Sequence, residues 1–259
     1  IGFNNLSAST GASNTGTGSY CLSSNTSGTQ NVAAGHAAMQ FNTTGSSNTA
    51  LGEQALYANT TASSNTAIGR KALASNTTGV QNVAIGHDTL DASTTNSNNT
   101  AIGYAAMTNA DGATDCVAVG SEALKTLTTG DYNVALGFQA LKSVTTASNN
   151  TAVGHEALEN NTATGNTAVG HEALTANTSG ANNVSVGAFA LDANTTGDFN
   201  IALGTYALSE NTTANDNVAV GHNALNANTT GTDNTALGHQ ALRDSTTATR
   251  GTAVGTEAA

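Results

Sequence analysis

Apolar and polar residues follow a pattern along this chain that repeats every seventeen residues, except for two steps of sixteen, from Gly2 to Gly18 and from Gly154 to Gly170. In a typical copy a triplet of Thr, Val or Ile, then Ala, then Leu, Ile or Val is followed by a glycine, and a Leu or Met stands four residues after the glycine, as in Ile201-Ala202-Leu203-Gly204 with Leu208. A short fixed period is typical of a solenoid, in which each repeat forms one turn. The sixteen glycines that mark the copies are Gly2, Gly18, Gly35, Gly52, Gly69, Gly86, Gly103, Gly120, Gly137, Gly154, Gly170, Gly187, Gly204, Gly221, Gly238 and Gly255.

Positions within a copy are counted from this reference glycine, and the residues at one position in all copies form a column. The triplet, at positions −3 to −1, predicts a short β-strand, in which positions −3 and −1 share one face and Ala at position −2 lies on the other. We expect position −1 to pack with the Leu column at position +4 in the core, and the Ala column to face outward as a smooth stripe. In the alternative arrangement Ala faces inward where space is tight, and Thr at about half of the copies of position −3 favours it.

Asn stands at position −4 in nearly every copy, with Cys116 and Gly251 as exceptions. Strands stacked about 4.8 Å apart would let these amides hydrogen bond as a ladder. Burial of each Leu at position +4 contributes roughly 1.5–3 kcal/mol. The predicted structural residues towards the end of the sequence are Asn200, Asn217 and Asn234 in the Asn ladder, and Leu208, Leu225 and Leu242 in the Leu column.

The rest of each copy reads Asn-Thr-Thr-Gly or a close variant, which favours turns and hydroxyl ladders. The segment between the reference glycine and this turn is too short for an independently stable helix, although one helical turn is an alternative. These features predict an all-β fold, a parallel β-solenoid or β-roll of about sixteen turns, with a length of roughly 70 Å at about 4.8 Å per turn.

The Asn of the Asn-Thr-Thr-Gly segment also stands in a glycosylation sequon in several copies. These candidate sites are Asn42, Asn59, Asn76, Asn177, Asn194, Asn211 and Asn228.

Composition restricts the partners of the chain. Charged residues make up 9% and the formal net charge is -11, so a surface that neutralises phosphates is missing and we expect no nucleic-acid partner. No apolar segment of about 20 residues occurs, so we expect no membrane insertion. Because the sequence opens and closes inside a repeat, we expect residues 1–259 to be one continuous array and a fragment of a longer fibre protein.

The phrase Asn-Thr-Ala-Val-Gly-x-x-Ala-Leu, as at residues 166–174, followed by Asn-Thr-Thr-Gly, resembles the arrays of bacteriophage tail fibres and of bacterial surface proteins with tail-fibre domains. Asn-x-Ala-Ile-Gly is similar to the motif in the heads of trimeric autotransporter adhesins. The resemblance covers the whole chain. It implies that the solenoid assembles with copies of itself, as a homotrimer or filament, and that it is extracellular, on a cell surface or on a virion.

Candidate chemistry is sparse. All six His follow the reference glycine at position +1, where Phe, Ser, Glu, Arg and Tyr also occur, which is typical of a solvated position. Two pairs of His, His155/His171 and His222/His239, lie on adjacent turns, but two His fall short of a closed zinc site, so we expect no metal. Catalysis needs a singular constellation of residues, and this chain has almost no singular residues, so we expect no cofactor, no catalytic residue and no enzyme activity. Cys21 and Cys116 lie about six turns apart, too far for an intrachain disulfide.

Aromatic residues occur only at variable positions. Phe189 and Tyr206 share a position on adjacent turns and Phe199 lies in the connection between them, so these three are the candidate glycan contacts. The first functional hypothesis is a structural shaft or adhesive stalk of an extracellular or virion fibre, a tail fibre or surface adhesin, with a cell-surface glycan or receptor as a further partner. The alternative is a ligand-binding solenoid, an ice- or glycan-binding module that uses the Thr ladder or the surface aromatics.

Overall fold

The computed structural model describes residues 2–259; Ile1, which the sequence pattern includes in the array, lies outside the described residues. The chain divides into two compact units, residues 1–132 and 133–259. The described residues form three-residue β-strands and turns, with no helix among them. The strands of the first unit are β1 Thr15–Thr17, β2 Val32–Ala34, β3 Thr49–Leu51, β4 Thr66–Ile68, β5 Val83–Ile85, β6 Thr100–Ile102 and β7 Val117–Val119. Those of the second unit are β8 Val134–Leu136, β9 Thr151–Val153, β10 Thr167–Val169, β11 Val184–Val186, β12 Ile201–Leu203, β13 Val218–Val220, β14 Thr235–Leu237 and β15 Thr252–Val254.

Within each unit successive strands pair in parallel, with equivalent positions side by side. Ile201 of β12, for example, pairs with Val184 of β11 and with Val218 of β13. The sixteen-residue step between β9 and β10 keeps this register, because Thr167 pairs with Thr151. Parallel neighbouring strands joined by one turn of chain define a parallel β-solenoid, so the predicted fold class is confirmed. The single continuous array over residues 1–259 stays a prediction.

The expected orientation of the strand triplet is wrong. The Ala column is buried, with Ala202 fully inside, whereas its neighbours Ile201 and Leu203 are 37% and 36% exposed. Ser185 holds the Ala position in β11, and its hydroxyl donates to the carbonyl of Ala190 at 2.7 Å, inside the turn. Ala therefore faces inward and positions −3 and −1 face outward, which is the alternative arrangement.

The narrow interior of the turn explains this orientation. The strand faces a segment that carries Ala at position +3 and Leu at position +4, and both Ala207 and Leu208 are fully buried. In β1 the Ala position is held by Gly16, where an added Cβ would clash with Oδ1 of Asn5 and lie 3.4 Å from Cδ1 of Leu6. The interior therefore has room only for a small residue at this position, and the larger side chains of the triplet face outward. The inward Leu column is confirmed: Leu225 is also fully buried, and Leu242 is half-buried.

The reference glycine is required for two reasons. Gly204 has a φ of +139°, and a Cβ placed on it would lie 2.5 Å from the carbonyl oxygen of Gly221 on the next turn. Both the positive φ and the close approach of the next turn exclude a side chain. These two constraints explain why glycine recurs at this position in successive copies.

Overlapping β-turns, and not a helical turn, follow the glycine. The backbone N–H of Ala207 donates to the carbonyl of Gly204 at 3.1 Å, and that of Asn211 donates to Leu208 at 3.1 Å. Tyr206 and Leu208 have left-handed backbone, with φ of 57° and 52°. This conformation costs roughly 1–2 kcal/mol for a residue with a Cβ. Bonds between turns hold it in place, since the N–H of Leu208 donates to the carbonyl of Ala224 at 3.0 Å.

Candidate functional surfaces

The predicted Asn ladder runs through the interior. Asn200, Asn217 and Asn234 are fully buried. The side-chain carbonyl of Asn200 accepts the backbone N–H of Asn217 at 3.1 Å, and that of Asn217 accepts the N–H of Asn234 at 3.0 Å. The side-chain amide of Asn217 donates to the carbonyl of Gly231, in the same turn, at 2.9 Å. Each Asn thus closes its own turn and ties it to the next one.

A second buried Asn column lies at position +7, in the segment whose composition predicts a turn. Asn194, Asn211 and Asn228 are fully buried. The amide of Asn211 donates to Oδ1 of Asn194 at 2.9 Å, and the amide of Asn228 donates to Oδ1 of Asn211 at 3.0 Å. A glycan on these amides is incompatible with this packing. The remaining candidate sites, Asn42, Asn59, Asn76 and Asn177, are equally buried.

The outward side of the strands carries no charge. From β1 to β15, position −3 holds only Thr, Val or Ile, and position −1 holds only Thr, Ala, Val, Ile or Leu. These residues, here called the strand face, are at least partly exposed in both units, as at Val32, Leu203 and Leu237. Contiguous exposed apolar surface usually marks an interaction site on a soluble protein. Sequence reasoning assigned such a surface to the Ala column instead.

The structure brings together two of the three candidate glycan contacts. The rings of Phe189 and Tyr206 stack with centroids 5.2 Å apart and planes 5° from parallel. Phe199 is 57% exposed, but it makes no ring contact among the described residues, and β12 separates it from Tyr206 along the chain. The stacked pair instead continues onto His171 of the preceding turn, whose ring centroid lies 5.0 Å from that of Phe189.

The predicted Thr ladder is largely used within the fold. The hydroxyl of Thr195, the first Thr of its pair, donates to the carbonyl of Thr212 on the next turn at 3.0 Å. The hydroxyl of Thr212 in turn donates to the carbonyl of Thr229 at 3.3 Å. The second residue of each pair, such as Thr196 or Thr213, is exposed. Only one outward Thr column therefore remains on this side of the turn.

Burial raises the pKa of several ionisable groups, among them Asp91, Asp192 and Cys21. Burial raises the pKa of Asp192 from 3.8 to about 6, and the negative charges of Glu172 and Glu210 contribute in the same direction. Oδ1 of Asp192 is buried and has no hydrogen-bond partner among the described residues. Burial likewise raises the pKa of the Cys21 thiol. Cys21 and Cys116 are both buried and outside any disulfide, so neither is an exposed nucleophile.

No metal-binding cluster of three or more His, Cys, Asp or Glu occurs within residues 2–259. The same part of the chain has no helix of the length and hydrophobicity that a membrane span requires. Comparisons with protein-family models, with curated proteins and with solved structures found no match to this chain.

Proposed function

We propose that this chain is a structural shaft or adhesive stalk segment of an extracellular or virion fibre, and that it assembles as a homotrimer. The observation that carries the proposal is uniformity: the same Asn, Ala and Leu columns line successive turns in both units. In a solenoid each turn is stabilised by its neighbours, so such an array extends a protein in equal steps and can hold a tip at a distance. The resemblance of the repeat to tail fibres and autotransporter heads supports the same role.

The strand face supports self-association. Its Thr, Val, Ile and Leu side chains carry no charge that would have to be desolvated when two copies meet. The acidic residues lie at other positions of the turn and stay in contact with water in this arrangement. Depletion of charge is the compositional signature of the buried centre of protein interfaces. A second and a third copy of this chain are therefore the partners proposed for this face.

Light scattering tests the proposal on the full chain. We expect three times the chain mass of 25.5 kDa. Leu203→Lys should weaken assembly at least about 100-fold, because a buried unpaired charge costs roughly 3–5 kcal/mol. Thr205→Lys, on the exposed corner of the same turn, should leave the mass unchanged. A monomeric parent chain would reject the homotrimer, and a trimer that tolerates Leu203→Lys would reject the strand face as its interface.

Ice binding is a second candidate, favoured by one observation. The strand face has two outward columns, with Thr at about half of the copies of position −3, whereas the Thr-Thr segment offers only one. A thermal-hysteresis assay separates the two functions. Activity of the parent chain that Leu203→Lys removes and Thr205→Lys retains would replace the shaft by an ice-binding module.

A further inference from the structure

Five rings form a continuous column on the second unit. Phe138, His155, His171, Phe189 and Tyr206, here called the ring column, lie on five consecutive turns. Their successive centroids are 5.1, 5.2, 5.0 and 5.2 Å apart. Four steps of about 4.8 Å give the column a length of roughly 19 Å.

Backbone bonds between turns fix this column. The N–H of Glu156 donates to the carbonyl of Phe138 at 2.9 Å, and the N–H of Glu172 donates to that of His155 at 2.9 Å. The N–H of Phe189 donates to the carbonyl of His171 at 3.0 Å. The ring column is therefore held by the same hydrogen-bonded scaffold as the interior, and it presents a preformed surface.

The ring column consists of two stacked groups that meet at an edge contact. The planes of His155 and His171 are 15° from parallel and those of Phe189 and Tyr206 are 5° from parallel, so these rings cover one another's faces. The planes of His171 and Phe189 are 66° apart. Phe138 and Tyr206 at the two ends remain 41% and 40% exposed. A flat, elongated molecule that lies along the column can contact several rings at once, whereas a single sugar stacks on one uncovered ring face.

Charge selects further among planar ligands. Glu156 and Glu172 follow the two His directly, with carboxylate oxygens 3.8 Å and 3.5 Å from the neighbouring imidazole nitrogens. Both carboxylates are partly exposed, and the chain carries a formal net charge of -11. A planar molecule with a positive charge can therefore contact the rings and the carboxylates together.

We propose that the ring column is a binding site for elongated planar aromatic cations, which lie with their long axis along the column and cross several turns. The site goes beyond the proposed role as a shaft, because it needs neither a trimer nor a tip. The ligand follows adjacent turns along the ring column. Phe199 lies at another corner of the turn and is therefore outside this site.

Titration with thioflavin T, a planar aromatic cation, tests the site on the full chain. We expect a fluorescence increase that saturates, and at least about five-fold weaker binding for Phe189→Leu. Phe199→Leu is the matched control, because Phe199 is the same residue type with the same left-handed backbone, at φ 55° against 56° for Phe189, and it lies outside the ring column. The control should bind like the parent chain. Circular dichroism verifies that both variants retain the fold.

The charge requirement has its own variants. Glu156→Gln with Glu172→Gln should weaken thioflavin T binding at low salt and reduce its salt dependence. The anionic dye anilinonaphthalene sulfonate should bind without sensitivity to Phe189→Leu. Absence of thioflavin T binding, equal losses in Phe189→Leu and Phe199→Leu, or equal use of the column by the anionic dye would each overturn the proposal.

Discussion

Position +7 is filled in two different ways within the first unit. In four successive turns it carries Asn25, Asn42, Asn59 and Asn76, whereas two turns further on it carries Ala110 and then Leu127. All of these side chains are fully buried. The same interior space therefore accepts either an amide column or an apolar filling. This agrees with the general rule that a buried polar group is tolerated when it is hydrogen-bonded and that an apolar replacement can be equally stable.

At the boundary between the amide column and the apolar filling, buried polar atoms lose their hydrogen-bond partners. Ser93 lies between Asn76 and Ala110 in this column. Oδ1 of Asn76 and the hydroxyl of Ser93 are both buried without a hydrogen-bond partner among the described residues. The amide of Asn76 still donates to Oδ1 of Asn59 at 3.1 Å. Ser93 is thus polar like the Asn residues of the column, but its side chain is too short to reach the hydrogen-bonding groups of its neighbours.

An interruption of the amide column should cause the largest change in the free energy of unfolding. The amide of Asn59 donates to Oδ1 of Asn42 at 2.7 Å and to the carbonyl of Ala62 at 3.1 Å. Asn59→Ala leaves Oδ1 of Asn42 unpaired and opens a cavity, so we expect a loss on the order of 2–5 kcal/mol in the free energy of unfolding. Denaturant unfolding measures the total, and hydrogen exchange should locate the lost protection in the adjoining turns.

The matched control for this interruption is Thr61→Ala. Thr61 lies two residues from Asn59 and is exposed, so its truncation should change the free energy of unfolding by less than about 0.5 kcal/mol. Similar losses in the two variants would mean that a buried amide of this column contributes no more to stability than an exposed polar side chain does.

Repairing the boundary should have a smaller effect of opposite sign. Ser93→Asn places an amide within reach of Oδ1 of Asn76, and one restored buried hydrogen bond should stabilise the fold by about 1 kcal/mol. Ser93→Ala is the comparison variant, because it removes the unpaired hydroxyl without supplying a donor. Thermal unfolding of the three chains measures the difference. If Ser93→Ala stabilised the chain as much as Ser93→Asn, the unpaired Ser hydroxyl alone would account for the lower stability at this boundary.

Asp192 extends the comparison to a partly buried group that can change its charge. Its folded pKa of about 6 lies above the ordinary 3.8, so the folded chain holds the proton more tightly than the unfolded chain does. The contribution of Asp192 to stability therefore falls as the pH rises from about 4 to about 6 and is constant outside that window. Asp192→Asn should raise the unfolding midpoint at pH 7 and leave it nearly unchanged below pH 4. The gain at pH 7 should be smaller than the changes in the other variants, because Asp192 is half-exposed and solvent screens its charge. An equal gain at both pH values would contradict this assignment.

The sequence predicts the parts of this fold that depend on one residue type recurring at one position. The Leu column and the Asn ladder at position −4 were found in this way. Alternation in the triplet shows that Ile201 and Leu203 share a face, but it does not say which face is inside; the space available between Ala202 and Leu208 decides that.

Other features depend on contacts that a single copy does not encode. Leu208 adopts a left-handed backbone that residues with a Cβ rarely adopt, so its sequence gives no sign of the turn. Asn211 stands in a segment with ordinary turn composition, and only the amide of the preceding turn makes its burial favourable. The ring column was missed for a similar reason: Phe189 lies one position later in its copy than His171, so a comparison column by column separates rings that are in contact.

The Asn ladder at position −4 has a consequence for how this protein can change over generations. Asn200 offers the same acceptor to Asn217 that Asn217 offers to Asn234, so turns that carry Asn at position −4 are interchangeable in this ladder. Unequal recombination that adds or removes whole repeats within such a run therefore keeps the ladder complete. Loss of one residue is also tolerated, as between β9 and β10, whereas a larger gain or loss within a repeat would bring positions that are not equivalent side by side. The gene can thus lengthen or shorten its product in inherited steps of one turn, without a compensating substitution elsewhere.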